Sequence, residues 1–552
     1  MSAAPIRTSR IADTDRVFAA ICLLVPAAAL VLFFVYPLAT VALRSITEPN
    51  GAFGLGNFAV ILQSSNFWRA AMHSLVVSGT TTAVVLILGL AIAFAAHRCR
   101  IFGGPIVLMA VMLPLLMPSL VQGLGLIFLL GRNGLLTKLT GLEINIYGFW
   151  GLLLANGLYA LPQAVLIIGA ALRSADARAY EAAEMLGAPG WRRFRDITLP
   201  SIKFGLLSAG FVVFTVTITD FGNAATIGGD YSVLATEIYN QVVGQMNFNL
   251  GAVVGILLLL PTVLAFYLER VASQRQSGSI SDSAVPIQPR WTPRRDIPMT
   301  FVAWTIALIP IITLGIVVFA SFVWLWPYRF DLTLRHYDVK ISGGYDPLLT
   351  TIYISVAAGA IGTILTFMLA VALQRLPRQL VKPFYFICLL PAAVPGLVLG
   401  LSYIFAFNVS GGPLYALYGS AALIAICNCA HYWTQGFLTT VTGLRQVPPS
   451  LQETAATLGA SLPRVLRDVV LPYTAPTIVS VFFFLFMQSM VTLSALIFLV
   501  SASVSVASVS IMRLEEAGFT SQAAAYATCT MAVVIAASGI MRIVLRLMQR
   551  RA

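Results

Sequence analysis

The sequence predicts an all-α integral membrane protein of about twelve transmembrane helices, arranged as two parallel six-helix halves. Three observations predict it. Hydrophobic residues make up 59% of the 552 positions and charged residues only 10%. Charge-free runs of membrane-spanning length recur along the whole chain, and one long loop occurs twice with its spacing preserved. A soluble domain carries about 25% charged residues, so this composition belongs in a bilayer.

A helix needs roughly 20 apolar residues to cross the hydrocarbon core. In the first half such windows run 17–43, 70–97, 101–131, 144–172 and 238–268, and a shorter one, 204–219, is interrupted by Asp220 before continuing to Gly229. The window at 17–43 follows Arg7, Arg10 and Arg16; it exceeds a signal-peptide core and no small-residue cleavage site ends it, so it reads as a first span. The second half has 297–328, 347–374, 383–444, 469–512 and 517–541. Window 383–444 holds two spans, with Asn408 and Ser410-Gly411-Gly412-Pro413 as the turn between them. Window 469–512 is long enough to hide an extra crossing.

With the N-terminus inside, 26 of the 34 Lys and Arg fall on inward segments, which places both termini in the cytoplasm. The same rule accounts for the net charge of +13 without nucleic acid as a partner. Residues 271–298, rich in Ser, Gln, Pro and Arg, read as a cytoplasmic linker between a first module, 1–270, and a second, 299–552. The modules repeat: Leu113-Pro114, Pro118 and Arg98 recur as Leu390-Pro391, Pro395 and Arg375, all at an offset of 277. Six spans per half make the copies parallel. The repeated prolines either break the third span of each half or form packing kinks.

Between the fourth and fifth spans of each half lies a cytoplasmic loop too long for a turn, 173–203 and 442–475. The first contains Glu181-Ala182-Ala183-Glu184-Met185-Leu186-Gly187, nine residues, then Ile197-Thr198-Leu199-Pro200. The second contains Glu453-Thr454-Ala455-Ala456-Thr457-Leu458-Gly459, nine residues, then Val469-Val470-Leu471-Pro472. The Glu-Ala-Ala stretch is a strong helix former and the glycine fits the left-handed position that ends a helix. A second short helix then leads to the Leu-Pro pair at the start of the next span. A helical hairpin lying on the membrane surface would not explain the constant distance to the proline.

This pattern resembles the signature loop of permeases of binding-protein-dependent ABC importers, and each half resembles one six-span permease of the type I fold. The second copy departs at Thr454, in place of the middle alanine, and at Val469, in place of isoleucine. The resemblance implies a bacterial inner-membrane protein whose coupling helices sit in clefts of a separate cytoplasmic ATP-binding subunit, itself a dimer. It also implies a periplasmic solute-binding protein and a small-molecule substrate. Carried over, the ATPase-coupling residues are Glu181, Ala183 and Gly187 with Glu453, Ala455 and Gly459. The chain has no Gly-Lys dipeptide and hence no phosphate-binding loop, so ATP hydrolysis is expected from the partner. No catalytic set, cofactor motif or metal-ligand spacing is read. The six cysteines read as small buried residues and the four histidines as packed or interfacial.

Asp220 is the one acidic residue well inside an apolar run, and Thr492 is its repeat counterpart. A carboxylate at that depth faces a polar interior or a partner, so the pair are candidates either for the solute path or for hydrogen bonds between helices. The fused layout resembles ferric-iron and 2-aminoethylphosphonate permeases. The segment from Thr219-Asp220-Phe221-Gly222 to Ala252-Val253-Val254 resembles the aminoethylphosphonate branch more closely, with ferric iron, or a polyamine or thiamine-like solute, as the alternative. A proton-coupled secondary transporter is the rival of another class. Against it, the loop at His97–Gly104 lacks that family's Gly-x-x-x-Asp-Arg-x-Gly-Arg pattern.

Overall fold

The computed structural model describes residues 5–48, 50–141, 144–278, 285, 287, 289–340, 343–412 and 414–550. Among the described residues, ten helices are long and apolar enough to cross a membrane, or eleven when the bent pair Gln379–Ala393 and Gly396–Phe407 counts as one span. The sequence count of twelve differs because several spans are built from short helices. Gly104–Leu116 precedes Leu120–Leu130, and Ala421–His431 meets Trp433–Leu444 at Tyr432. The extended window at 469–512 hides no further crossing. Helix Leu471–Val491 is followed by turns and then by the short helix Ala507–Glu516. Window 297–328 is also shorter as a helix than as an apolar run. The helix ends at Phe322, and the aromatic stretch beyond it forms an antiparallel hairpin, Val323–Leu325 with Arg329–Leu332.

By contacts the chain forms two compact units, and they cut across the linear halves. One comprises 45–344 with 510–531; the other comprises the N-terminal 44 residues with 345–509 and 532–552. In the first, Ser65–Arg98, Phe149–Arg173 and Leu199–Ile218 pack together, joined by Pro293–Phe322. Small residues let these helices approach, as bilayer packing requires in place of a hydrophobic drive: a side-chain carbon at Gly89 would come within 3.1 Å of the Ala164 methyl. In the second, Asp346–Leu373 lies against Leu471–Val491 and against the N-terminal helix Pro5–Leu30. The Tyr403 hydroxyl donates to the Phe33 carbonyl at 2.6 Å, which anchors that N-terminal segment.

The repeated prolines do break the third span in both halves. Each first segment ends in a tight 3-10 turn, Leu113–Leu116 or Leu390–Ala393. The chain then turns extended at Met117 and at Val394-Pro395, and in the second half the axis bends by 105°. The fifth span of each half also stops short, at Ile218 and at Val491. Within each unit one break seats on the other. A methyl at Gly222 would strike the Ser119 hydroxyl, and one at Gly396 would strike the Ser494 hydroxyl and lie 3.1 Å from the Ala495 nitrogen. Gly396→Ala should therefore destabilise the protein by about 1–3 kcal/mol, seen as a lower melting temperature in detergent. Gly539→Ala, where a methyl meets open space, should not. A wild-type melting temperature for Gly396→Ala would show that the two breaks are loosely seated.

Candidate coupling loops and the polar joint at membrane depth

The first loop begins at Asp176, whose carboxylate accepts from the Arg178 N–H at 3.1 Å and caps helix Ala177–Met185. That backbone N–H, with a second from Val285, holds the Asp176 carboxyl below the usual carboxylate range. The helix ends at Gly187, where φ is +70°. There the Ala188 N–H donates to the Ala183 carbonyl at 2.9 Å, and the Gly187 N–H donates to the Glu184 carbonyl at 2.9 Å. This is the Schellman closure, and it gives the spacing of the loop a physical reason. The carbonyl that must be capped belongs to the alanine four residues before the glycine. The second loop repeats it: Gly459 has φ of +72°, and the Ala460 N–H donates to the Ala455 carbonyl at 3.1 Å.

Beyond the glycine each loop runs a single helical turn, Gly190–Arg193 or Leu462–Val465. A π-turn follows, Phe194–Thr198 or Leu466–Val470, and flows without a gap into the fifth span. The two limbs of the first hairpin are tied by Tyr180 donating to Thr198 Oγ1 at 3.0 Å and by the Arg193–Glu184 ion pair at 3.0 Å. In the second, the Leu462 N–H donates to Asp15 of the N-terminal helix at 2.6 Å. Of the residues singled out in the sequence, Glu181, Gly187, Glu453 and Gly459 are exposed, and Ala183 and Ala455 are half-buried. Sequence reasoning passed over the apolar tips beside them. Met185 is 90% exposed, Leu186 86% and Leu458 81%, which is costly for a free surface and suited to a covered one. The signal was present as apolar residues placed directly before the helix-ending glycine.

Asp220 and Thr492 occupy the matched breaks in the fifth spans. Asp220 accepts from the Asn223 N–H at 2.9 Å and from the Ser119 hydroxyl, capping the short helix Gly222–Ile227. Fully buried Asn223 donates to Asn156 Oδ1 at 2.9 Å, and its own Oδ1 accepts from the Gly123 N–H at 3.2 Å. Asp220 also borders a cavity of about 10 Å³ with Ser74, Ser78 and Asn156, enough for about one water. In the other unit the Thr492 hydroxyl donates to the Gln488 carbonyl at 2.7 Å and lies 2.9 Å from the Tyr432 hydroxyl. The Thr492 carbonyl accepts from Ser508 at 2.6 Å, and Asn428 donates to Ser489 at 2.6 Å. Asn156 and Asn428 stand 272 positions apart, the same offset as the loops. That recurrence of asparagine inside apolar spans was the overlooked clue. Two of the four histidines are packed in this way: His73 stacks on Tyr231, and buried His336 bonds the Val323 carbonyl.

At Asp220 the neighbours are donors. Asp220→Asn turns one acceptor into a further donor and should destabilise by about 1–3 kcal/mol, while Asp220→Leu should cost more. Thermal unfolding in detergent reads both. A fully stable Asp220→Leu would rule out a capping role.

Residues 86–278 and 362–551 each match the family described as binding-protein-dependent transport system inner membrane components. Over 530 residues the chain is 28% identical to the ferric transport system permease protein FbpB of Actinobacillus pleuropneumoniae, covering 91% of this chain and 75% of the relative. FbpB 1 of Haemophilus influenzae is 28% identical over 492 residues, covering 85% of this chain and 76% of its own length. The sulfate transport system permease protein CysW of Synechococcus elongatus is 29% identical over 249 residues, covering 43% of this chain and 85% of the relative. The chain belongs to the binding-protein-dependent ABC importer permeases and carries two permease modules in one polypeptide.

Proposed function

We propose that the chain forms the translocation path for 2-aminoethylphosphonate, driven by a separate cytoplasmic ATPase dimer and supplied by a periplasmic binding protein. In this reading modules 1–270 and 299–552 flank linker 271–298, and both termini and both loops face the cytoplasm. The observation that carries the importer mechanism is the pair of hairpins. Each has a left-handed glycine and bare apolar residues at its tip, and each is continuous with a fifth span. Helix Leu199–Ile218 has 20 residues and is about 30 Å long, so a push on the first hairpin is delivered at the Asp220 joint. The substrate rests on the resemblance of residues 219–254 to the aminoethylphosphonate branch. Ferric iron is the second reading, favoured by the two ferric relatives that cover most of the chain. Relatives named for sulfate and for spermidine and putrescine have similar identity, 29% and 27%, so identity at this level does not separate solutes.

Replacing Gly187 and Gly459 together by proline forbids the positive φ and distorts each docking tip, at about 3 kcal/mol or more apiece. The expected result is an inserted protein in which solute uptake by proteoliposomes containing the ATPase is lost while ATP is still hydrolysed. Undiminished uptake would overturn the coupling assignment. For the solute, a strain lacking the chain should fail to grow on 2-aminoethylphosphonate as its phosphorus source and recover with the intact gene. Normal growth on the phosphonate with a defect on scarce ferric iron would move the substrate to iron and leave the importer mechanism standing.

A further inference from the structure

The inner side of the first hairpin, Glu181 included, lines a cavity of about 1290 Å³ whose arginines the transport reading leaves without a role. One wall is a single face of helix Ser65–Arg98, with Ile87, Leu90, Ala91 and Phe94 at helical spacing and Arg98 at its end. Ile87 is 70% exposed, as befits a lipid-facing position. From Ile87 to Arg98 the helix rises about 16 Å, roughly half the thickness of the hydrocarbon core, and the apolar stretch from Ile87 to Phe94 makes up about 10 Å of it. The opposite wall is the start of helix Pro293–Phe322 and the chain before it, which is held to the hairpin where the Ala177 N–H donates to the Val285 carbonyl at 2.9 Å. Trp191 and Trp291 also line the cavity.

Basic groups outnumber acidic ones. Six arginines and two glutamates, Glu181 and Glu184, line the cavity, and of the arginines only Arg193, with Glu184, and Arg295, with Asp296, have carboxylate partners. Among the described residues Arg98, Arg100, Arg290 and Arg294 have none within ion-pair distance. Arg98 is the telling member. It is only 6% exposed, its Nη2 donates to the Leu172 carbonyl at 2.7 Å, its guanidinium lies over the Tyr180 ring, and its Nε has no partner. A buried guanidinium without an anion is costly. The repeat counterpart Arg375 is exposed, so this is a property of one half.

We propose that this cavity binds an anionic phospholipid of the adjoining leaflet. Its phosphate lies among Arg98, Arg100, Arg290 and Arg294, and one acyl chain lies along the face from Phe94 to Ile87. A basic pocket continuous with an apolar groove about 10 Å long matches both ends of such a molecule, whereas a soluble anion uses only the arginines. The cytoplasmic placement of the pocket rests on the orientation proposed above.

Native mass spectrometry of the purified full chain, delipidated and titrated with phosphatidylglycerol or phosphatidylcholine, tests the site. The expected result is one tightly held phosphatidylglycerol per chain and no comparable phosphatidylcholine. Arg290→Gln with Arg294→Gln, both exposed and so compatible with folding, should weaken retention about tenfold or more. Ala91→Trp, which fills the groove and leaves the charges in place, should do the same. Arg542→Gln with Arg546→Gln removes equal charge elsewhere and should change nothing. Equal retention in wild type and both pocket variants, or equal binding of the two lipids, overturns the proposal. So does loss in the arginine variant alone combined with displacement by inorganic phosphate, which would mark a soluble-anion site. The measurement involves no ATP and no transport, so its failure leaves the importer reading intact.

Discussion

Every backbone N–H and C=O that leaves a helix inside the bilayer must find a partner within the protein, because hydrocarbon offers none. This chain interrupts two spans in each half, so four sets of freed groups have to be satisfied at depth. It meets the requirement by seating each third-span break against a fifth-span break and adding short polar side chains. Asp220 and Asn223 do this in one unit, and Thr492, Ser508 and Tyr432 do it in the other. The small residues at Gly222 and Gly396 follow from the same constraint, since backbone must come close to backbone for these bonds to form. A polar residue in such a span is thus explained first by the helix end beside it.

The hairpins and the joints are mechanically one object. In each half the segment after the left-handed glycine passes through a π-turn and becomes the fifth span, whose far end is the interrupted one. A helix transmits displacement along its axis with little loss, while a break is where the chain yields. The arrangement places the stiff element between a hairpin with bare apolar residues at its tip and the hydrogen-bonded joint at depth. The π-turns widen the helix locally just before the Leu-Pro pairs, and Thr198 and Val470, which close them, are buried.

The two halves are alike in backbone and unlike in side chains. The Schellman closures, the π-turns and the broken spans recur, yet Asp220 is matched by Thr492 and buried Arg98 by exposed Arg375. The repeated features are those that backbone geometry demands. Of the unrepeated ones, Asp220 is bonded within its own half, by Ser119 and Asn223, while Arg98 meets the wall supplied by the segment leading into the second half.

The sequence alone determined the membrane class, the repeat and the hairpins, because each rests on local rules: apolar length for a span, left-handed glycine for a helix end, proline for a missing donor. Gly187, Gly459 and the Leu-Pro pairs were legible for that reason. Tertiary structure decided the rest. Whether Pro118 and Pro395 kink or break a span depends on whether a neighbouring helix supplies partners for the freed backbone. That Asp220 also takes the Ser119 hydroxyl is known only once the broken third span is brought to it. The grouping of the N-terminal helix with residues 345–509 was invisible for the same reason, since hydropathy records how long a span is and says nothing about its neighbours.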